Sequence, residues 1–307
     1  MFSVIICTHN PDLNKLNRVL ASLEGQCYNK ANWEWIIVDN ASKEAVKTQL
    51  PQHLQHQIRV IEEPEPGLTP ARIAGIRAAQ HAWLVLIDDD NVLNASYLSQ
   101  SAKIIEEHPE LGAFGCRLNP EFEATPSPDI VPHLFMLAIR QPEMDVIGKT
   151  YQWDSTPFGA GMVVRKAVAE HYIGLLQSDP MRKGLDRKGN SLMSSGDVDL
   201  AHTAIDMGYA TGVFKSLEIT HIIPAFRLTK SYMKNMMRYN ALSNHLLFYI
   251  RFKRIPSTPS WKKRVKQYAR LIKRGAWFEI GMLKAQDKGR RESLQRIRQL
   301  ELNQQQA

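Results

Sequence analysis

The 307-residue chain is 44% hydrophobic and 23% charged, which is the balance of a globular protein with a packed core; disorder is expected only at the Gln-rich end, Gln304 to Gln306. Its three cysteines, Cys7, Cys27 and Cys116, are too few and too far apart for a disulfide framework or a thiolate metal cluster, so reduced and inert thiols are expected. The net charge of +8 is unevenly divided: residues 227–307 carry 20 Lys and Arg against 4 Asp and Glu, whereas residues 1–226 carry 19 against 27.

The chain enters an apolar run at Phe2 without a basic lead or a long apolar core, so no secretory leader is expected. No apolar run nears the roughly 18 residues that span a bilayer. The expectation is a cytoplasmic protein that can also sit peripherally on the inner face of the cell membrane.

Ser3 to Cys7 reads as a buried strand, broken by Thr8-His9-Asn10-Pro11, and Leu13, Leu16, Leu20 and Leu23 then recur at helical spacing. Trp35 to Val38 is a second buried strand ending at Asp39-Asn40-Ala41-Ser42. Ile58 to Ile61 is a third, followed by a loop of Glu, Pro and Gly from Glu63 to Gly67 and an Ala-rich helix from Pro70 to Ala79. Trp83 to Ile87 is a fourth, ending at Asp88-Asp89-Asp90-Asn91. Short apolar strands alternating with helices predict an α/β fold, a mostly parallel central sheet flanked by helices. Ligands in such sheets bind beyond the carboxyl ends of the strands, where these polar groups all meet.

Further on, 95–107 reads as a helix, 113–118 as a strand, and 121–152 resists assignment. Phe158 to Arg165 reads as a Gly-rich turn feeding a strand, 179–195 as a mobile loop able to close over a ligand, and 197–207 as a helix closed by Gly208. The tail reads as a helix over 228–254 with Thr229 as its N-cap, a proline-containing break, and a second helix from Trp261 to about Leu283. The expected division is 1–225 for a catalytic domain and 226–307 for a basic helical extension.

Three adjacent carboxylates at a strand end repel one another, and a divalent cation relieves that cost; the alternative is a solvated loop of capping aspartates. Asp39 is either a contact for a base or ribose or the pivot of an Asx turn. Asp197 and Asp199 open a helix, as caps or as a general base. His221 is either structural or a metal ligand.

Taken together, these pieces resemble glycosyltransferase family 2. The resemblance rests on Ser3 to Asn10, Trp35 to Ser42, Gly67-Leu68-Thr69-Pro70-Ala71-Arg72 with Gly75, Leu86 to Asp90, Phe158 to Gly161 and Gly196 to Leu200, in that order over about residues 2–225. It implies a GT-A (Rossmann-like) fold and inverting transfer of a sugar from a UDP-, GDP- or dTDP-linked donor to a glycan or lipid-linked acceptor, as in bacterial surface polysaccharide synthesis. Thr8, His9, Asn10 and Asp39 would cradle the nucleotide, with Arg72 near its phosphates or ribose. Asp88 and Asp90 would be the outer members of an Asp-x-Asp motif with Asp89 between them in the donor site. Asp90, Asp88 and His221 would serve Mn²⁺ or Mg²⁺, Gly159, Ala160 and Gly161 would line the sugar pocket, and Asp197 would be the catalytic base. The family often has Glu-Asp where this chain has Gly196-Asp197, which leaves Asp199 as the alternative base.

The competing readings are a sugar nucleotidyltransferase, which would carry a Gly-rich basic loop after the first strand, and a non-catalytic nucleotide-sugar-binding scaffold at the membrane. For the basic tail the readings are an anionic membrane surface, or packing on protein including a homodimer. No nucleic-acid partner is expected, because no reader motif accompanies the charge.

Overall fold

A computed structural model describes the backbone of residues 1–306 and the side chains of residues 1–302. In chain order its elements are β1 (Phe2–Thr8), α1 (Leu13–Glu24), β2 (Trp33–Asn40), α2 (Val46–Gln49), β3 (Ile58–Glu63), α3 (Leu68–Ala78), β4 (Trp83–Asp88), β5 (Asn91–Leu93), α4 (Tyr97–Glu107) and β6 (Leu111–Phe122). They continue with β7 (Val146–Gly148), β8 (Met162–Arg165), α5 (Lys166–Ser178), α6 (Pro180–Lys183), α7 (Gly196–Asp206), β9 (Ala210–Ile223), α8 (Lys230–Phe252), α9 (Trp261–Lys273) and α10 (Trp277–Gln306). The helix α10 therefore includes the Gln-rich end that was expected to be disordered.

The chain divides into two compact units, one of 1–123, 137–179 and 196–223, the other of 124–136, 180–195 and 224–307. Among the described residues the first unit holds one nine-stranded sheet in the order β3-β2-β1-β4-β8-β6-β9-β5, with β7 beside β9. The β3-β2-β1-β4 block is parallel throughout, as its unbroken apolar strands predict. Beyond β4 the sheet is mixed: β8 runs antiparallel to β4 and β6, and β6 pairs parallel with β9.

Both faces of the parallel block are covered, which is why β1 is apolar at consecutive positions. Phe2, Val4 and Ile6 join the core that includes Leu16, Val19, Leu20 and Leu23 of α1. Ile5 joins the opposite core, with Ala71 and Ile76 of α3, Val168 and Tyr172 of α5, and Leu200 and Ala204 of α7. Asp12 starts α1 by accepting the Asn14 amide on its carboxylate at 3.0 Å, which aims the leucine stripe inward.

The second unit is built on α8 and α10, whose apolar faces contribute Met233, Met236, Leu246 and Ile250, and Phe278, Met282, Leu283 and Ile297, all buried. Arg238 clamps Glu292 through two bonds of 2.8 Å, and the Tyr249 hydroxyl donates to Glu301 at 2.9 Å. Thr229 caps α8 as its sequence predicts, accepting the Tyr232 amide at 3.3 Å.

Two expectations need correction here. The second tail helix is broken: α9 ends at Lys273, Gly275 takes φ +64°, and α10 starts afresh at Trp277. The stretch 179–195 is an anchored segment and not a free loop. It contains α6, buries Leu185 and Met193, and bonds Ser194 to Asn240 at 3.1 Å and Ser195 to Asn244 at 3.0 Å.

Candidate active site

The parallel register brings the ends of β1, β2 and β4 level, pairing Thr8 with Asp39 and Cys7 with Asp88. The loops that leave these ends are fixed mainly by side chains bonding to backbone. Asp39 is buried, and its two oxygens accept the amides of Ser42 at 3.2 Å and Val46 at 2.8 Å. The carboxylate thus organises the rim after β2, through amides three and seven residues further on and not through the two-residue step of an Asx turn. Asn40, also buried, donates to the carbonyls of Glu63 and Glu65 at 3.1 and 2.7 Å and accepts the Gly67 amide at 2.7 Å, which ties β2 to the start of α3.

His9 and Asn10 lie exposed at the same rim. The Nδ1–H of His9 donates to the Asn40 carbonyl at 2.6 Å, so its Nε2 accepts from the side-chain Nδ2 of Asn10 at 2.9 Å. Asn10 and Ala41 both stand in the left-handed region, at φ 49° and 54°. For alanine this costs about 1 kcal/mol, and strain of this kind at adjacent strand ends is common at binding rims.

At the end of β4 the three aspartates take different surroundings. The Thr8 hydroxyl bonds to Asp89, which draws that carboxylate towards β1. Asp88 is half-buried, and its amide donates to Asn91 Oδ1 at 3.0 Å. Asp90 is buried; one oxygen accepts from Asn91 Nδ2 at 2.9 Å, and the other lies 3.7 Å from His221 Nε2. His221 sits within β9, opposite Asn91 in the antiparallel β5–β9 pairing.

The Asp90–His221 separation exceeds a hydrogen bond. It is near the roughly 3–4 Å expected between two ligands that each stand about 2.1 Å from a shared ion. Carboxylate and imidazole together suit Mn²⁺ better than Mg²⁺, so the residues present fit such an ion as part of a larger ligand set. Among the described residues no group of three or more His, Cys, Asp and Glu side chains is placed to hold a metal unaided.

The Gly-rich turn adjoins β4. The Gly161 amide donates to the Leu86 carbonyl at 2.9 Å, two residues before Asp88. Gly161 takes φ +75°, and its carbonyl accepts from the buried Tyr97 hydroxyl. The Sγ of Cys116 lies 3.8 Å from the Ala160 carbonyl. Burial pushes the Cys116 thiol up to about 12, so it stays protonated, as expected of an inert cysteine.

Gly159 makes the decisive contact. Its amide donates to Asp197 Oδ2 at 2.7 Å, while Oδ1 of Asp197 accepts the Val198 amide at 2.8 Å. A Cβ at Gly159 would stand 2.5 Å from Arg72 Nη2 and 3.3 Å from Asp197 Oδ2, so guanidinium and carboxylate converge on the space that the glycine leaves open. Asp199 is two residues further along α7 and wholly buried, whereas Asp197 is only half-buried.

Some organising residues were missed by sequence reasoning. Asn91 is completely buried and bonds both ways across the aspartate turn; a lone Asn after three Asp carries no signal of that role. Arg140 lies 4.6 Å over the Phe158 ring, and Trp153 packs on the same ring at 5.4 Å with much of its own surface exposed. They come from the 121–152 stretch and its margin, where periodicity gives no reading.

Residues 3–172 match the profile described as glycosyl transferase family 2. An uncharacterised glycosyltransferase of Haemophilus influenzae is 31% identical over 113 residues, 36% of this chain and 36% of that protein. The poly(ribitol-phosphate) β-N-acetylglucosaminyltransferase TarS of Staphylococcus aureus is 26% identical over 110 residues, 35% of this chain and 19% of TarS. The chain thus spans well under two thirds of the curated relatives it matches.

Among solved structures, TarS 1–349 in complex with UDP-GlcNAc superposes with a TM-score of 0.52 at 16% identity, over 79% of this chain and 66% of that one. The mannosyltransferase PcManGT from Pyrobaculum calidifontis, in complex with GDP-Man and Mn²⁺, gives 0.55 at 17% identity, over 92% and 73%. These likenesses establish the GT-A fold.

Proposed function

The chain belongs to glycosyl transferase family 2 and is a glycosyl-transfer enzyme, and from that premise we propose that it moves a sugar from a nucleoside-diphosphate sugar to an acceptor hydroxyl with inversion at the anomeric carbon. The observation that carries this reading is the convergence of Asp197 and Arg72 on Gly159, in a turn hydrogen-bonded to β4 just before Asp88 and Asp90. A carboxylate and a guanidinium meeting at this turn suit the roles of base and fixed cation in such a transfer.

The base, Asp197, takes the acceptor proton as the acceptor oxygen attacks the anomeric carbon from the face opposite the leaving diphosphate. A single displacement inverts the configuration. The Gly159 and Val198 amides hold the carboxylate in a fixed rotamer, so little ordering cost falls on the reaction itself. Arg72 lends positive charge to the donor. Thr8, His9, Asn10 and Asp39 shape the rim that takes the nucleotide, Asp39 chiefly by ordering the backbone from Ser42 to Val46. The exposed Trp153 ring gives an apolar face of the kind on which a sugar of the acceptor stacks.

Asp90 and His221, with Asp88, would hold a divalent cation, which when bound supplies neutralising charge for the diphosphate. The bound nucleotides named for TarS and PcManGT, UDP-GlcNAc and GDP-Man, support a nucleotide-sugar donor. An acceptor in bacterial glycan synthesis, free or lipid-linked, and action at the inner face of the membrane complete the proposal.

The test is a screen for nucleoside diphosphate released from UDP-, GDP- and dTDP-sugars, with Mn²⁺ or EDTA, using the native chain, Asp90→Ala and Asp197→Ala. Metal-dependent release from one donor, lost in both variants, is the expected result. Silence across the panel together with absent donor binding by calorimetry would overturn the reading in favour of a scaffold.

A further inference from the structure

The second unit carries a surface made of residues other than those assigned to the transfer site. From residue 251 to residue 277 the chain contains ten Lys and Arg and no Asp or Glu. Within this stretch α9 has three distinct faces. Arg264, Tyr268 and Leu271, spaced four and three apart, form the side turned to α10, where Arg264 Nε and the Tyr268 hydroxyl donate to Asp287 at 2.8 and 3.0 Å. Lys262, Lys263, Lys266, Arg270 and Lys273 occupy the far side and are exposed.

Between these faces runs a stripe of Trp261, Val265 and Ile272, spaced four and seven apart, with exposures of 71, 55 and 56%. No residue of α9 is buried. The stripe is extended in sequence by Ile255 before the helix and by Trp277 after it, both exposed. A merely solvated helix would place polar side chains along such a stripe.

We propose that this face of α9 docks on an anionic lipid surface, with the apolar stripe entering the boundary between headgroups and acyl chains and the lysines meeting the lipid phosphates. Charge selects the occupant. A second copy of this chain seated face to face would bring the five exposed cations of α9, Lys262, Lys263, Lys266, Arg270 and Lys273, against their like, whereas an anionic bilayer neutralises them. Nucleic acid would also neutralise them, yet it offers no apolar depth for Val265 and Ile272. The proposal concerns binding alone and stands apart from the transfer chemistry.

The experiment is flotation of the full chain with phosphatidylcholine vesicles, with and without phosphatidylglycerol. The variants are Lys262→Gln/Lys263→Gln/Lys266→Gln and Trp261→Ser/Val265→Ser/Ile272→Ser. All six positions are exposed, and an unchanged melting temperature verifies the fold. Expected are binding only to the phosphatidylglycerol vesicles, weakening with salt, and a loss of about tenfold or more in partition for each variant. Donor turnover in solution should be the same in all three proteins, which separates this proposal from that of the active site. No vesicle binding, equal binding to both vesicle types, a concentration-dependent dimer abolished by the apolar variant, or retention on nucleic acid without vesicle binding would each overturn it.

Discussion

The two units treat charge in opposite ways. In the first, the carboxylates of the candidate site are buried or half-buried and held by named partners: Asp39 by two amides, Asp90 by Asn91 and Asp197 by Gly159 and Val198. In the second, the lysines of α9 stand in solvent, while Arg264 and Arg238 are drawn into defined pairs. Charges that are held act by position, and one substitution removes the effect. Charges that are displayed act by sum, and several must go before the effect is felt.

The comparison breaks first at Asp197. Asp197→Asn should lower turnover by about a thousandfold while donor affinity by calorimetry stays within a few-fold, the signature of a lost base; a comparable loss of affinity would instead mean that the residue organises the pocket. Next, Asp90→Ala should reduce turnover roughly a hundredfold and flatten its response to added Mn²⁺. Unaltered manganese titration would remove Asp90 from the metal set. Smaller again is Gly159→Ala, whose new methyl must displace Arg72 Nη2 from 2.5 Å; KM for the donor should rise about tenfold with the fold intact.

The smallest effect sharpens the comparison from the other side, at a held titratable group within the second unit. Burial, and then the nearby Arg290 guanidinium, keep the pKa of His245 below its ordinary value. On acidification through about pH 6.5 the unfolded chain takes up a proton that the folded chain resists, so stability falls as pH drops and is regained above the unfolded pKa. His245→Gln should remove this component from the pH dependence of chemical denaturation. A denaturation midpoint that falls with acid to the same extent in the variant would assign the effect elsewhere.

Much of this was legible in the chain itself. The strands β1, β2 and β4 declare themselves because a strand covered on both faces is apolar at consecutive positions, and each ends where the residues turn polar. Thr229 announces α8 through local capping chemistry. The order of short motifs carried the family resemblance and with it the candidate site residues. The mixed half of the sheet was not legible. The pairing of β6 with β9 joins segments some hundred residues apart, and the register leaves no mark in either strand alone. Nor did composition reveal that 180–195, polar as it reads, buries Leu185 and Met193, since its four Leu and Met, at 181, 185, 192 and 193, set no sustained period.

The clearest division falls on α7. The sequence alone determined that two aspartates open that helix and that one of them is a candidate base. Two residues apart on a helix, their side chains stand on nearly opposite faces, so either could look towards a site until the helix is seated. Packing of Leu200, Ala201 and Ala204 against the sheet seats it, burying Asp199 and leaving Asp197 to meet the Gly159 amide. Residue type is a property of the chain, whereas the face a residue presents is decided by everything packed around it.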